Sequence, residues 1–480
     1  MESSINIYTI HIKLGEDMNS YKDLSEKIAE WAVQVSYESL PKEAIEEAKK
    51  RIIDTFGVSI GAFDEEPVSI ARWLAESSSS SRLASTIWGT DRKAPADHST
   101  FANGCATRYF DFMDTYLSKE ALHPSDNIPA IIAAAEISNA DGKKVIEGLI
   151  SAYEISARLA DAYSVRSRGW DHVVYIAIAS AVGAGKVLGL NKEQMFHAIN
   201  IATVNAAALR QTRAGELSMW KGCAAANSSR NGLFAAILAS KGMKGPSPIF
   251  SGEFGFFRVA LNGDEFDIPK LGGVNSEPYK IMETSIKYWP VEYHAMSAVE
   301  AALKIREKLG RIDPKDIKGV EVETFQVAYN IIAKDPEKWD PKTRETADHS
   351  LPYIIAAALL DGDIWLSTFH KERYLAKDVR EVMSRMKVIV NKEFDKIYPT
   401  GIKNSIKITL NNGSTVEESS TYPPGHFKNP LTREGVVNKF LKITQGKLCE
   451  ENREKLLNMV WELEKCTNIS RLLSLLKIKK

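Results

Sequence analysis

The stretch VVYIAIASAVGAGKVL, from Val173 to Leu188, is apolar on nearly every side and rich in alanine and glycine. A helix that is hydrophobic all round belongs in the middle of a bundle, because none of its faces favours contact with water. The stretch is also shorter than the roughly 18 apolar residues that indicate a membrane span. We therefore predict a buried central helix in a soluble, mainly α protein without a membrane partner.

Helical periodicity extends outward from this stretch through about the first 260 residues. Apolar residues recur three or four positions apart, which is typical of helices with one buried face. The clearest runs are Ile45 to Phe56, Val145 to Leu159, Ala198 to Leu209 and Gly232 to Ala239. Strand signals are nearly absent here, so we expect this region to be almost wholly helical.

The pattern changes in the second half of the chain, where apolar and polar residues alternate. Strands are predicted around Val320 to Val322, at Val388 to Val390 and at Ile406 to Leu410. Asn411 to Gly413 then favour a hairpin, since asparagine and glycine tolerate positive φ. Helices are predicted between these strands and again after Pro430, as in Glu450 to Glu464. We predict a helical domain of residues 1–270, completed by C-terminal helices within 420–480, and an α+β domain of residues 271–419.

Charge and cysteine content exclude several classes of protein. The 62 lysine and arginine residues balance 62 aspartate and glutamate residues, so no overall basic field would attract nucleic acid. The four cysteines, at positions 105, 223, 449 and 466, lack the CxxC spacing of a zinc knuckle and are too dispersed to suggest an iron–sulfur cluster. Residues 1–16 also lack the features of a secretory signal. We expect a cytoplasmic protein, with Met1 or Met18 as its start.

The common cofactor motifs do not occur in the sequence. Gly57 to Gly61 fits the pattern GxSxG, but a nucleophile elbow requires a preceding strand and a helix precedes this segment. We interpret its glycines as close-packing positions. No P-loop, Rossmann fingerprint or HExxH pair is found, so no cofactor and no metal are predicted.

Two histidines stand in settings that suggest chemistry. His123 follows a dense polar group that includes Asp111, Asp114 and Thr115, although a solvated loop would explain it equally well. His172 stands beside Asp171 at the start of the predicted central helix. The helix N-terminus there would lower the pKa of the imidazole and attract an anion, whereas simple capping by Asp171 is the alternative.

Cations and further histidines form a second group of candidates. Arg210, Arg213 and Lys221 flank a predicted loop and would pair with carboxylates, unless they only form a solvated basic face. Lys287, Glu292 and His294 bracket Trp289 and Pro290 near the domain junction, where ligand clefts are common. The remaining candidates are Tyr329, just after a strand, and His349, which would also fit a helix cap.

Several of these segments resemble the MmgE/PrpD family. The resemblance covers about residues 20–465 and depends on the order of the blocks. They are RYFDFMDT at 108–115, HPSDN at 123–127, LRQ at 209–211, MWKG at 219–222, Lys287 with Pro290 and His294, ADHSLPY at 347–353, and YPPGH at 422–426.

The resemblance implies a fold, a class of substrate and a partner. The family includes 2-methylcitrate dehydratase, cis-aconitate decarboxylase and an iminodisuccinate epimerase, which act on small polycarboxylates without a metal or organic cofactor. Its members are homodimers with a large all-helical domain built from both chain ends and a smaller α+β lid domain. The active site lies in the cleft between the domains.

Within the family, the sequence is most similar to the 2-methylcitrate dehydratase branch. Arg108 and the Ser125-Asp126-Asn127 segment carry this similarity, and the decarboxylase branch usually has histidine in place of Arg108. Met113 and the Glu292-Tyr293-His294 arrangement also depart from family patterns. A decarboxylase or an epimerase remains an alternative of the same class, and a non-catalytic helical scaffold is an alternative of another class.

Dehydration of a tricarboxylate requires a base for a proton next to a carboxylate, and cations that neutralise the carboxylates. His172 and His123 are the candidates for the base and the acid, with Asp111 orienting His123. Lys221 is the foremost cation. The remaining candidates are Arg108, Arg213, Lys287 and His294 for substrate binding, and Thr115 and Tyr329 as hydrogen-bonding groups.

Overall fold

A computed structural model describes residues 23–79, 82–215 and 217–479. Both candidate start residues, Met1 and Met18, lie outside these ranges. Among the described residues, no helix combines the length and the apolar character needed to cross a membrane.

The first part of the chain forms a helical bundle around the predicted central helix. Every residue of that helix, Val173–Val187, is buried, which confirms the prediction. The helices of this part are α1 (Leu24–Gln34), α2 (Lys42–Gly61), α3 (Glu66–Glu76), α4 (Ala96–Tyr109), α5 (Ile128–Ser138), α6 (Gly142–Ala162), α7 (Val173–Val187), α8 (Lys192–Val204), α9 (Ala224–Ser240) and α10 (Phe256–Ala260).

Glycines allow the helices of the bundle to pack at short range. A Cβ atom on Gly183 of α7 would lie 2.8 Å from the carbonyl oxygen of Gly148 on α6. Gly57 and Gly61 of the GxSxG segment lie inside α2, where added Cβ atoms would meet side chains of the C-terminal part of the chain. The interpretation of these two glycines as close-packing positions is confirmed.

The helical part also contains short strands that the periodicity did not predict. They are β1 (Ala84–Thr86), β2 (Lys93–Pro95), β3 (Asp114–Leu117) and β4 (Ala121–Leu122), and β3 also pairs with β5 (Ser285–Ile286). Strands of two to four residues are too short to show an alternating pattern. Helix α8 ends at Val204, so the predicted helix of Ala198 to Leu209 extended five residues too far.

The second part has a four-stranded sheet covered by helices, as the alternating pattern predicts. The strands are β6 (Ile317–Thr324), β7 (Met386–Val390), β8 (Asn404–Leu410) and β9 (Thr415–Ser420), in the order β7-β6-β8-β9. Only β6 and β7 run parallel within this sheet, and β8 and β9 form the expected hairpin. The helices are α11 (Met296–Leu309), α12 (Gln326–Ile332), α13 (Arg344–Ala347), α14 (Leu351–Asp361), α15 (Lys371–Tyr374), α16 (Lys377–Ser384) and α17 (Lys392–Asp395).

The C-terminal helices return to the first bundle. They are α18 (Arg433–Ile443), α19 (Glu450–Trp461) and α20 (Ile469–Ser474). Val436 and Phe440 of α18 and Leu456 of α19 belong to the same buried cluster as α7. Both ends of the described chain therefore contribute to one core.

Two large hydrophobic cores accompany this organisation. The first includes residues up to Ile286 together with the C-terminal helices, and the second begins at Trp289. Leu271, Tyr279 and Ile281 pack in the first core, although the predicted boundary at residue 271 gives them to the α+β domain. This segment shows no regular periodicity in sequence. The division into two domains remains a proposal, supported by the two cores.

Candidate active site

A cavity of about 310 Å³ is lined by residues from both parts of the chain. This volume is at the low end of the range for small-molecule sites. Nine of the ten predicted site residues line it, namely Arg108, Asp111, Thr115, His123, His172, Arg213, Lys221, Lys287 and His294. Tyr329 does not, although its neighbours Asn330 and Ile331 do. Its ring packs at the edge of the second core instead.

Asp111 is the centre of a buried ionic cluster. It follows the end of α4 with a positive φ of 50°, which turns its side chain back toward Arg108. Oδ1 of Asp111 lies 2.6 Å from Nη1 of Arg108 and 2.8 Å from Nζ of Lys287. Burial raises the pKa of this carboxyl, but the charges of Arg108, Lys287 and Lys221 more than offset it and hold the pKa well below its usual range. Asp111 is therefore ionised and firmly held.

The pairing of β3 with β5 brings Lys287 to this cluster. Lys287 follows β5 directly, and its backbone N–H donates to the carbonyl of Met113. Its ammonium group also donates to the carbonyl of Asp111 at 2.8 Å. A short strand that sequence reasoning missed thus positions a residue that it predicted.

Lys221 lies on the other side of Asp111, in a short 3₁₀ turn of residues 219–222. Its Nζ is 3.3 Å from Oδ1 of Asp348 and 3.9 Å from Oδ2 of Asp111. Burial lowers the pKa of Lys221 to about 8, although these two carboxylates oppose the shift. The ammonium group is therefore charged at neutral pH and close to losing its proton.

His123 is held as a neutral imidazole. Its Nδ1 lies 2.7 Å from the carbonyl oxygen of Asp114, so Nδ1 carries the proton, and Nε2 faces Nη2 of Arg108 at 3.3 Å. Burial, reinforced by the charge of Arg108, lowers its pKa well below the usual range. The carbonyl of Asp114 orients this ring, whereas Asp111, expected to do so, lies 3.8 Å from Nε2. The lone pair of His123 is thus engaged by Arg108.

His172 has a different environment at the N-terminus of α7. Its Nδ1 lies 2.8 Å from Oδ1 of Asp171, and the other oxygen of Asp171 accepts from Nε of Arg213 at 3.0 Å. Burial raises the pKa of Asp171, but Arg213 and His172 lower this pKa by more than burial raises it. The carboxylate is therefore ionised. Burial lowers the pKa of His172, and its Nε2 has no partner among the described residues. The imidazole is neutral with a free lone pair.

Two further histidines are paired with carboxylates on the side of the second core. Nδ1 of His294 lies 2.7 Å from Oε1 of Glu292, and its Nε2 is unpartnered among the described residues. Nδ1 of His349 lies 2.5 Å from Oδ1 of Asp348, which also contacts Lys221. Burial lowers the pKa of His349 to about 4. Three carboxylate–histidine pairs therefore meet at one cavity.

The guanidinium group of Arg213 also has a nitrogen available to a ligand. Nη2 of Arg213 is buried and unpartnered in the described part of the chain, while its Nη1 donates to the carbonyl of Lys221 at 2.9 Å. The hydroxyl of Thr115, which also lines the cavity, donates to the carbonyl of Leu122 at a distance of 3.3 Å. The free N–H of Arg213 is suited to a ligand carboxylate.

Some lining residues were not among the predicted site residues. The charged or polar ones are Glu120, Arg166, Arg210, Glu292, Tyr293, Asn330, Asp335, Lys338 and His349. His349 and Glu292 were visible in sequence as neighbours of a carboxylate or a histidine, and Arg210 accompanied Arg213. Nothing in the sequence near Glu120, Arg166 or Lys338 indicates that they line a cavity. No group of three or more His, Cys, Asp or Glu side chains within 23–79, 82–215 and 217–479 is arranged to hold a metal ion.

Comparison with known proteins agrees with the blocks found in the sequence. Residues 26–269 match the MmgE/PrpD N-terminal domain, and residues 289–465 match the MmgE/PrpD C-terminal domain. This chain belongs to the MmgE/PrpD family. The two family domains meet between residues 269 and 289, the interval in which the first core gives way to the second.

Relatives within the MmgE/PrpD family cover most of the chain. The mitochondrial 2-methylcitrate dehydratase of Yarrowia lipolytica is 31% identical over 394 residues, which is 77% of this chain and 74% of the relative. A probable 2-methylcitrate dehydratase of Saccharomyces cerevisiae is 28% identical over 90% of this chain and 87% of its own. The 2-methylcitrate dehydratase of Salmonella typhimurium is 27% identical, covering 86% of this chain and 88% of its own.

Proposed function

We propose that this protein is a hydro-lyase that converts 2-methylcitrate into 2-methyl-cis-aconitate and water, and that it also acts on citrate. The names of the similar enzymes support the substrate. The single observation that carries the proposal is the free Nε2 of His172 in a strongly cationic cavity. Among the described lining residues, seven lysines and arginines stand against four carboxylates, which suits a polyanionic substrate.

His172 acts as the base in this proposal. Its Nε2 takes the proton from the carbon next to a substrate carboxylate, and the electron pair of the broken C–H bond forms the new double bond. The ionised Asp171 stabilises the imidazolium that results, because the two groups are 2.8 Å apart. His123 is less suited to this step, since Arg108 already occupies its lone pair.

His294 supplies the proton for the leaving group. As the C–O bond breaks, the departing hydroxyl takes a proton from Nε2 and leaves as water. Oε1 of Glu292 lies 2.7 Å from Nδ1 of His294 and holds the ring in place for this transfer. The site then returns to its starting state when the proton on His172 passes to solvent and His294 takes one up.

The cations stabilise the negative charge that develops as the proton leaves. Lys221 and the free Nη2 of Arg213 bind substrate carboxylates, and Arg108 and Lys287 hold Asp111 in place. Thr115 binds a carboxylate or the leaving hydroxyl. We propose the same task for Tyr329 after its ring turns toward the cavity, which is lined by its neighbours Asn330 and Ile331.

The proposal includes the absence of a cofactor, a cytoplasmic location and a homodimer. An exposed apolar groove of about 230 Å³ between α7, α8 and α10 supports the dimer. Phe254 and Val259 there are 83% and 64% exposed, which is unusual for side chains of this size. A second copy of the chain is the expected occupant. Sedimentation at micromolar concentration should give a dimer, and Phe254→Asp with Val259→Asp should shift it to a monomer.

The direct test of the activity uses the ultraviolet absorbance of the conjugated double bond. Purified protein with 2-methylcitrate should show a rise in absorbance, with citrate and cis-aconitate as comparison substrates. Release of carbon dioxide from cis-aconitate would instead identify a decarboxylase. No turnover of any of these compounds would contradict the proposal and favour a scaffold.

A further inference from the structure

A buried lysine outside the cavity connects the C-terminal part of the chain to the active site. Lys439 lies on α18 and is 5% exposed, and it does not line the cavity. Its Nζ donates to the carbonyl of Phe112 at 2.6 Å and to the carbonyl of Lys287 at 2.7 Å. A third oxygen, Oδ1 of Asp54 on α2, lies 2.7 Å away. Two of the three N–H donors of the ammonium group are thus used by backbone carbonyls, and the carboxylate of Asp54 forms an ion pair with it.

The two carbonyls belong to the backbone on either side of the ionic cluster. Phe112 directly follows Asp111, and Lys287 is the lysine whose Nζ lies 2.8 Å from Oδ1 of Asp111. The same two segments are also joined by a short ladder, in which Asp114 pairs with Ile286 and Thr115 with Ser285. Lys439 therefore cross-links the two segments at the point where the ladder ends.

Lys439 also lies where the two cores meet. Phe112 lies beside the first core, in a small cluster with Ile443 of α18, whereas Lys287 stands immediately before the second core begins at Trp289. The Lys439 ammonium lies 3.9 Å from the centre of the Phe112 ring, which adds a cation–π contact. Movement of Lys287 relative to Asp111 would thus require the loss of contacts deep in the protein.

We propose that Lys439, with Asp54, is a positioning residue that fixes Lys287 against Asp111 and so sets the geometry of the substrate site. The inference depends on the proposed function for its kinetic consequence, but its structural consequence is independent of it. A displacement of about 1 Å at a reacting group can cost about 100-fold in rate.

The test uses a variant that removes the buried pair without leaving a lone charge. Lys439→Met alone leaves Asp54 buried and unpaired, which threatens folding, whereas Lys439→Met with Asp54→Leu replaces both charges by apolar groups. Such replacements are often neutral for stability. The double variant should melt close to the wild type while its kcat/KM for 2-methylcitrate falls roughly 10- to 100-fold.

Lys49→Met is the matched control. Lys49 is also a buried lysine that donates to a backbone carbonyl, that of Trp461 at 2.8 Å, and lies 2.9 Å from a carboxylate oxygen of Glu464. It joins α2 to the C-terminal part of the chain but does not line the cavity. Lys49→Met should change the stability of the protein but leave kcat/KM within about twofold of the wild-type value.

A kinetic cycle and a crystal structure separate positioning from a general structural role. If Lys439 acts through Lys287, then Lys287→Met should add little further loss in the double variant. In crystals, the distance from Nζ of Lys287 to Oδ1 of Asp111 should exceed 4 Å in the double variant. Additive kinetic effects, or an unchanged distance, would overturn the inference. A wild type without turnover would contradict the proposed function alone, because the crystallographic comparison still decides the role of Lys439.

Discussion

The chemistry of this site depends on which imidazole nitrogens are free. Nε2 of His172 and Nε2 of His294 have no partner in the described part of the chain, whereas the lone pair of His123 faces Arg108. His172 and His294 are buried, His123 is partly buried, and all three rings line one cavity. Since all three histidines line the same cavity, the hydrogen-bond partner of Nε2 is what distinguishes a candidate base from a structural histidine.

Replacement of His172 by alanine should lower kcat for 2-methylcitrate by roughly 100-fold or more, the scale typical of lost acid–base catalysis. The reason is that no other free imidazole stands next to Asp171. Steady-state kinetics measure the effect. His370→Ala is the control, because His370 is exposed and only its backbone makes hydrogen bonds in the described residues. Near-normal turnover of His172→Ala would remove His172 from the mechanism.

The charge on Lys221 should determine the alkaline limit of activity. Because its pKa is about 8, the ammonium group loses its proton as the pH rises through 8, and kcat/KM should fall over that interval. The profile of kcat/KM between pH 6 and pH 10 measures this. In Lys221→Met the value should be low throughout and show no fall near pH 8. A profile of the wild type that is flat to pH 10 would contradict this assignment.

Nine of the ten residues predicted from the sequence line the cavity, but the sequence did not reveal which side chains contact one another there. His172 was recognisable because Asp171 and an apolar helix stand next to it. Glu120, Arg166 and Lys338 reach the cavity only through tertiary packing, so nothing near them in sequence reveals it. The role expected for Asp111, orienting His123, was replaced by the carbonyl of Asp114, and backbone acceptors leave no trace in sequence.

Among the elements, the helices were predictable where packing demands an apolar surface. All fifteen residues of α7 are buried, and the stretch that predicted it has almost no polar side chain. The strands β3 and β5 were missed because their pairing involves only two residue pairs distant in sequence. These short strands matter more to the site than the larger sheet, since they bring Lys287 to Asp111.

The close contact between α6 and α7 gives a prediction about stability. In Gly183→Ala the new methyl group would lie 2.8 Å from a backbone oxygen of α6 and 2.9 Å from Cβ of Ala152. The free energy of unfolding should fall by about 1 to 3 kcal/mol, the usual range for overpacking. Denaturant unfolding followed by circular dichroism measures it.

Gly435→Ala in α18 is the matched control for that substitution. The nearest atoms to its added methyl group lie 3.5 Å away, an ordinary contact distance. Alanine favours a helix over glycine by up to about 1 kcal/mol, so this variant should be as stable as the wild type or more stable. An equal fall in the free energy of unfolding in both variants would contradict the interpretation that Gly183 is a close-packing position.

At the scale of the whole molecule, the site lies where two cores meet. The helical part contributes His172, Arg213 and Lys221, and His294 comes from the second part, between the core residues Tyr293 and Ala295. Periodicity predicted two regions of different architecture. Leu271, Tyr279 and Ile281, which the prediction assigns to the second region, pack in the first core, and no regular pattern in residues 271–286 indicates this. The amphipathic pattern of the C-terminal helices indicated that they would pack on the first core. The hydrogen bond from Lys439 to the carbonyl of Lys287 was not predictable from the sequence.

The central claim is that side chains of this chain alone perform the elimination. Its most direct test is turnover of 2-methylcitrate by protein treated with EDTA in air, with the product identified by nuclear magnetic resonance and residual metal quantified by mass spectrometry. We expect 2-methyl-cis-aconitate to form at the rate of untreated protein. Loss of activity that added iron restores would contradict the claim.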